Sequence, residues 1–302
     1  MKFIFLLFIL PIVLLISCGT QQRLSQVQQI VDVAQKDVAS SKAQLDSVTQ
    51  KVQIKLSSGE MDDSVKRDFN NALTKLNDRL KDIENKVVAL EGFLKSKSNF
   101  NNRNYETNIK GVAAAVDSFN ILKHEREKVY SLITAAINIK AFNLYDMAAF
   151  FEPGVYNIPA TAVPLIYKYF NPAIDSIAVF ANQYDSIPLL TRLVFVGYAD
   201  ESPIAAGGEL YNNLARFSTQ PMPTSDELNR VLSMLRANEM LRNMKMVLRE
   251  SAGKFTDYST IKFNYTGYGR GIAYPNPKIT DYKKDDERRR IVMFYWSVLP
   301  NL

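Results

Sequence analysis

One histidine, His124, and one cysteine, Cys18, are the whole stock of imidazole and thiol in this chain of 302 residues. That stock excludes an internal disulfide and a Cys/His zinc site, and it leaves Ser-His or Cys-His catalysis nothing to use but His124. His124 stands among Lys123, Glu125, Arg126, Glu127 and Lys128, which read together as a solvated face, so it is given neither catalysis nor a metal. The adjacent carboxylates Asp285 and Asp286 lie in a polar, turn-like stretch with no apolar shielding to separate an acid from a base. Gly267-Tyr268-Gly269-Arg270-Gly271 has the glycines of a phosphate loop. The prolines at Pro275 and Pro277, however, follow where a phosphate-binding helix would have to begin. What remains is charge recognition, with Asp200 just after an apolar run and Arg236 inside a helical pattern. A guanidinium fork matches the two oxygens of a carboxylate, and an aspartate accepts from an ammonium. Taken alone, Asp200 is a turn residue bonding its own backbone, and Arg236 is one more solvated cation beside Arg230, Arg242, Lys245 and Arg249. No enzymatic site, cofactor or metal is expected.

The elements that position these residues begin behind a leader. Met1-Lys2 supplies a positive start, and Phe3 to Ile16 is apolar except for Pro11, too short for the roughly 20 residues of a spanning helix. Leu15-Ile16-Ser17-Cys18-Gly19 resembles the bacterial lipobox, which makes residues 1–17 a lipoprotein signal peptide and Cys18 the lipidated N-terminus. Acyl chains there, palmitate among them, would hold the mature chain on a membrane at about 0.8 kcal/mol per buried methylene. Gly19 and Thr20 lack the aspartate that retains enteric lipoproteins in the inner membrane, so an outer-membrane anchor facing the periplasm is expected. Lys and Arg exceed Asp and Glu by 37 to 31, a net +6 too diffuse to name nucleic acid as a partner. The run Arg288-Arg289-Arg290 is itself offset by Asp281, Asp285, Asp286 and Glu287.

Residues 18–140 read as a helical coiled-coil or bundle stalk. Leu24, Val27, Val31, Ala34, Val38, Ser41, Leu45, Val48 and Val52 recur at alternating steps of three and four, a heptad seam that ends at Ser57-Ser58-Gly59. Val65, Phe69, Ala72, Leu76, Leu80, Ile83, Val87, Leu90 and Leu94 stripe a second helix over about Asp63 to Lys95. A third helix is expected from about Tyr105 to Lys140. The seam suits self-association through the first helix, with an intramolecular antiparallel hairpin as the alternative.

Beyond residue 140 the period changes. Ala148 to Ile158, with Pro153-Gly154 inside, suggests a strand with a turn or bulge, and Pro159 and Pro164 bracket a helix start that Pro172 must later kink or interrupt. Leu190 to Tyr198 is a buried-strand run, and Glu201 to Pro223 reads as irregular. Thr224-Ser225-Asp226-Glu227 is a capping box opening a helix to about Arg249, and strands follow at Ile261 to Tyr268 and Arg290 to Val298. The order strand, helix, strand, helix, strand, strand gives an α+β chain, an all-α section followed by a βαβαββ sandwich with helices on one face of a small sheet.

These residues resemble the OmpA-like peptidoglycan-binding domain over roughly 145–299. Gly197-Tyr198-Ala199-Asp200 matches its Gly-Tyr-Thr/Ala-Asp, and Leu232-Ser233-Met234-Leu235-Arg236-Ala237 its Leu-Ser-x-x-Arg-Ala, with Asn229 in place before it. Gly267-Tyr268-Gly269 matches its Gly-x-Gly, and Arg288-Arg289-Arg290-Ile291 its Asn-Arg-Arg-Val. The resemblance implies that 141–302 is an OmpA-like wall-binding domain. In it, Asp200 accepts the ammonium of the stem peptide's diaminopimelate, Arg236 donates to its carboxylate, and Asn229 is a secondary contact. Arg289 and Arg290 are expected to anchor the sheet or its loops through salt bridges. The partners expected are peptidoglycan, a membrane through the lipid, and further copies or an envelope complex through the helical section. The alternative is a structural scaffold whose OmpA-like domain takes a protein partner, with the Glu201 to Pro223 stretch, longer than the family's usual loop, as its contact.

Overall fold

A computed structural model of the protein describes residues 20–57, 63–96, 127–137, 151–276 and 279–301. The leader, Cys18, His124, the expected third helix before residue 127 and the boundary at 140 lie outside the described residues. The chain is mixed α and β, and its described residues fall into two compact units. One takes α1 (Thr20–Ser57) as far as Ser47 and α2 (Asp63–Leu94) from Thr74 onward. The other takes 48–73 together with everything from Lys128.

In the first unit the heptad positions Val27, Val31, Ala34, Val38, Ser41 and Leu45 of α1 are buried, as are Leu76, Leu80, Ile83 and Val87 of α2. The buried Ser41 hydroxyl is satisfied by donating to the Asp37 carbonyl at 2.8 Å, the back-bond a helical serine makes to its preceding turn. Gln35 donates to Glu91 and Lys42 pairs with Glu84, one heptad forward on α1 against one heptad back on α2. The two helices therefore run antiparallel, and the seam is covered within one chain. The hairpin alternative is the arrangement found.

The second unit is built on a three-stranded sheet in the order β2 (Ile261–Gly269), β1 (Leu189–Gly197), β3 (Val292–Pro300). β1 is parallel to β2, with Leu189 opposite Ile261 and Gly197 opposite Gly269, and antiparallel to β3. A parallel pair needs a long crossover, and α6 (Ser225–Glu250) supplies it. Thr224 caps that helix as its sequence signals, its hydroxyl accepting from the Glu227 N–H. α4 (Val163–Gln183) lies on the same side, where Phe170 meets Phe195 edge-on at 5.9 Å and Phe195 stacks on Phe294 at 4.7 Å.

Four expectations are corrected. No strand forms over 151–158, because Pro153 cannot donate and Gly154 turns at φ +73°, leaving the carbonyls of Glu152 and Val155 to a side chain described below. Pro172 does not interrupt α4, since Phe170, Ala173, Ile174 and Ile177 are buried on both sides of it and outweigh one missing helix bond. The stretch 201–223 contains a two-turn helix, α5 (Glu209–Ala215), pinned by fully buried Leu214. The sheet is also covered on both faces. On the side opposite α6, Val194, Val196 and Met293 are buried, and Arg192 of β1 pairs with Asp68 of α2. A further helix over 127–137, α3, joins this unit, where Ser131 shares a hydrogen bond with Tyr184 at 3.2 Å.

Candidate functional site

The site is made where β1 ends against α6. A Cβ at Gly197 would overlap the Ser233 carbonyl, and one at Gly269 would meet the Arg230 carbonyl and the Met234 nitrogen, both at 2.5 Å. The glycines of the two motifs thus let helix backbone rest directly on strand backbone. Ser233 locks the contact, donating to the Arg230 carbonyl and accepting from the Gly271 N–H at 2.9 Å. Gly271 sits at φ +58°, so the turn after β2 also requires glycine.

The chain leaving β1 is held on both sides. The Tyr198 N–H donates to Ile291 and the Ala199 N–H to Gly271, at 2.9 and 2.8 Å. This carries Asp200 to a position only 5% exposed. Its Oδ1 accepts from the Ser202 N–H at 3.1 Å, the turn bond expected of an aspartate here. Its Oδ2 accepts from Arg290 Nη1 at 2.7 Å, and Arg290 also donates to the Asp285 carbonyl at 3.0 Å. Asn229, buried on α6, donates to the Ser202 carbonyl at 3.3 Å and so steadies the same turn.

Arg236 is fully buried. Its Nε donates to the Val155 carbonyl at 2.9 Å, Nη2 to the Glu152 carbonyl at 3.1 Å, and Nη1 to the Tyr198 carbonyl at 3.5 Å. Phe151 lies 5.3 Å from the guanidinium carbon. Burial pushes its pKa down to about 10, opposed by the attraction of Asp200 and reinforced by the repulsion of Arg290. The three charges therefore feel one another, yet only Asp200 and Arg290 share a hydrogen bond.

Arg289, 1% exposed, donates to Glu201 at 2.7 Å and to the Ile272 carbonyl, with Tyr274 4.7 Å from its guanidinium carbon. The sequence thus named residues that do converge, Asp200, Arg236 and Asn229, and placed Arg289 and Arg290 as salt-bridging anchors. It did not foresee that Arg290 closes on Asp200, or that Arg236 is spent on carbonyls about eighty residues earlier in the chain. It also passed over Arg192, where a charged residue inside the run Leu189–Gly197 was the signal that a partner had to exist.

Among the described residues no group of three His, Cys, Asp or Glu side chains could hold a metal, and no helix is long and apolar enough to cross a membrane. No protein-family model, no curated protein and no solved structure matches the chain.

Proposed function

We propose that this protein is a lipid-anchored envelope protein whose C-terminal unit binds the peptide stem of the cell wall without covalent chemistry, in the manner of OmpA-like domains. The observation that carries the reading is the Asp200–Arg290 pair, 2.7 Å apart at the end of the central strand, with side chains 7% and 15% exposed. A ligand bearing an ammonium and a carboxylate on one carbon, as diaminopimelate does, can replace both halves of such a pair at once: its ammonium goes to Asp200 and its carboxylate to Arg290. Each charge-assisted bond contributes about 1.5 to 3 kcal/mol, so the exchange is modest in affinity and suited to many copies acting on one wall. The resemblance gives the carboxylate to Arg236. With that guanidinium committed to three carbonyls, Arg236 instead acts as a positioning residue that holds Tyr198, two residues before Asp200.

Sacculus co-sedimentation at low salt tests this. Wild type should pellet, Asp200→Asn and Arg290→Lys should lose most of that binding while remaining folded, and failure of wild type to pellet would overturn wall binding. The anchor is tested separately by mass spectrometry of the mature N-terminus, where an acylated Cys18 is expected. The scaffold reading has its own support in Phe217 and Met222, exposed at 49% and 85% beside α5, and it takes over if wild type ignores sacculi.

A further inference from the structure

β2 is an edge strand. Among the described residues no strand pairs with its outer side, and its register with β1 runs from Ile261 to Gly269 without a skipped residue, so no bulge twists the edge away. Its sequence holds no proline, and its only charged residue is Lys262 near the start. Natural sheets usually blunt an edge of nine residues, about 30 Å long, with bulges, prolines or cover.

Beside this edge lies a row of rings on the α6 side. Phe255 meets Tyr258 edge-on at 5.4 Å, Tyr258 stacks on Phe263 at 5.1 Å, and Phe263 stacks on Tyr265 at 6.3 Å. Phe263 and Tyr265 are only half-buried, so an added strand could set alternate side chains against them. Two cations of α6 flank the row. Lys245 Nζ sits 4.5 Å from the Tyr265 ring, Arg249 is close enough to act on the ionisation of Tyr258 and Tyr265, and neither cation nor Lys262 has a carboxylate partner among the described residues. The nearby carboxylates accept from neutral donors, Glu250 from the Tyr167 hydroxyl and Asp257 from Ser259.

We infer that the outer edge of β2 is a docking site for an extended acidic segment of a partner protein, which adds as a fourth strand and sets its carboxylates against Lys245 and Arg249 on the α6 side. Backbone pairing gives the affinity, and the cations and rings select the sequence. A second copy of this chain does not suit the edge. Pairing β2 with β2 would bring two sets of the same cations together, in a protein already at net +6.

The test uses the full chain and a fluorescent peptide of alternating valine and glutamate, about ten residues long, read by anisotropy. Binding is expected, with no binding of the valine-lysine counterpart. The doubly substituted Lys245→Glu, Arg249→Glu protein should bind about tenfold more weakly with its urea midpoint unchanged, as befits charges outside the core. A fully N-methylated valine-glutamate peptide keeps its carboxylates but loses its backbone donors, and it should not bind. Absence of binding by wild type overturns the inference. So does equal binding of the N-methylated peptide, which would leave only a patch attractive to anions, and so does equal binding by the charge-reversed protein.

Discussion

Arg192, in the middle of the central strand, and Asp68, in the first turns of α2, meet fork to fork: Nε and Nη2 of the arginine donate to the two carboxylate oxygens, the second at 2.8 Å. Their side chains are 19% and 9% exposed, and Thr266 of the neighbouring strand accepts a further bond from Arg192 at 3.4 Å. A cation on a sheet face lined by Val194 and Val196 is tolerable only with such a partner.

Removing one half of that pair is therefore expected to cost far more than removing both. Asp68→Ala should lower the unfolding free energy by about 3 kcal/mol in urea titrations, whereas Asp68→Leu with Arg192→Leu should return to within about 1 kcal/mol of wild type. Equal losses for the single and double changes would show that the pair does not hold α2 to the sheet.

Arg236 and Arg290 should separate in the same measurement. Arg236→Ala removes three hydrogen bonds donated to the carbonyls of Glu152, Val155 and Tyr198 and leaves a hole where a fully buried side chain stood, and should cost about 3 kcal/mol or more, enough to threaten folding outright. Arg290→Lys keeps a cation opposite buried Asp200 but loses the guanidinium fork, and should leave the chain folded while changing ligand binding. An Arg236→Ala protein as stable as wild type would restore that residue as a direct ligand contact.

Glycine substitutions should grade by what the new methyl meets. Gly197→Ala drives a Cβ into the Ser233 carbonyl and should cost about 3 kcal/mol or more, because neither strand nor helix backbone can yield cheaply. Gly92→Ala meets nothing within 4 Å on α2 and should raise stability by about 0.5 kcal/mol. Thermal unfolding of the two variants side by side checks the ordering.

Alkaline pH should loosen the aromatic row. Burial pushes Tyr265 up to about 12, with the neighbouring Tyr258 adding to the rise and Arg249 opposing it. The folded chain thus keeps a proton that the unfolded chain surrenders near the ordinary tyrosine value of about 10. The stability this contributes is fully present below pH about 10 and is lost as pH climbs toward about 12. Urea midpoints across that window should fall for wild type and fall less for Tyr265→Phe. An identical fall in both would place the alkaline sensitivity elsewhere.

Much of this architecture was legible from spacing. The heptad positions of α1, the Thr224 cap with Glu227, and the apolar run of β1 each follow from a local pattern with one strong physical reading. A stripe states that something covers it without saying what, so the seam of α1 served an inter-chain reading as well as the α2 hairpin that occupies it. Residues 151–158 combine strand-forming side chains with Pro153 and Gly154, and the contest was decided by Arg236, whose demand for carbonyls arises from a helix far along the chain. Arg236 among other cations looked solvated because periodicity does not report how close α6 comes to β1; the Gly197 and Gly269 contacts do. The match of Asp200 to Arg290 was hidden for the same reason, being a product of where β3 begins.

The central strand is also the first strand of the sheet to be synthesised, and both of its partners come late, at Ile261 and at Val292. Every ladder bond of the sheet consequently closes a long loop, a topology that folds slowly because chain entropy is lost before any pairing compensates it. Loss of β3 would remove a whole strand, the cover of Phe195 by Phe294 and the antiparallel half of the ladder. Until that strand emerges, the hydrophobic interior of the unit has an open side. A chain interrupted late in synthesis would therefore be a substrate for proteolysis or aggregation, with no partly working form to fall back on.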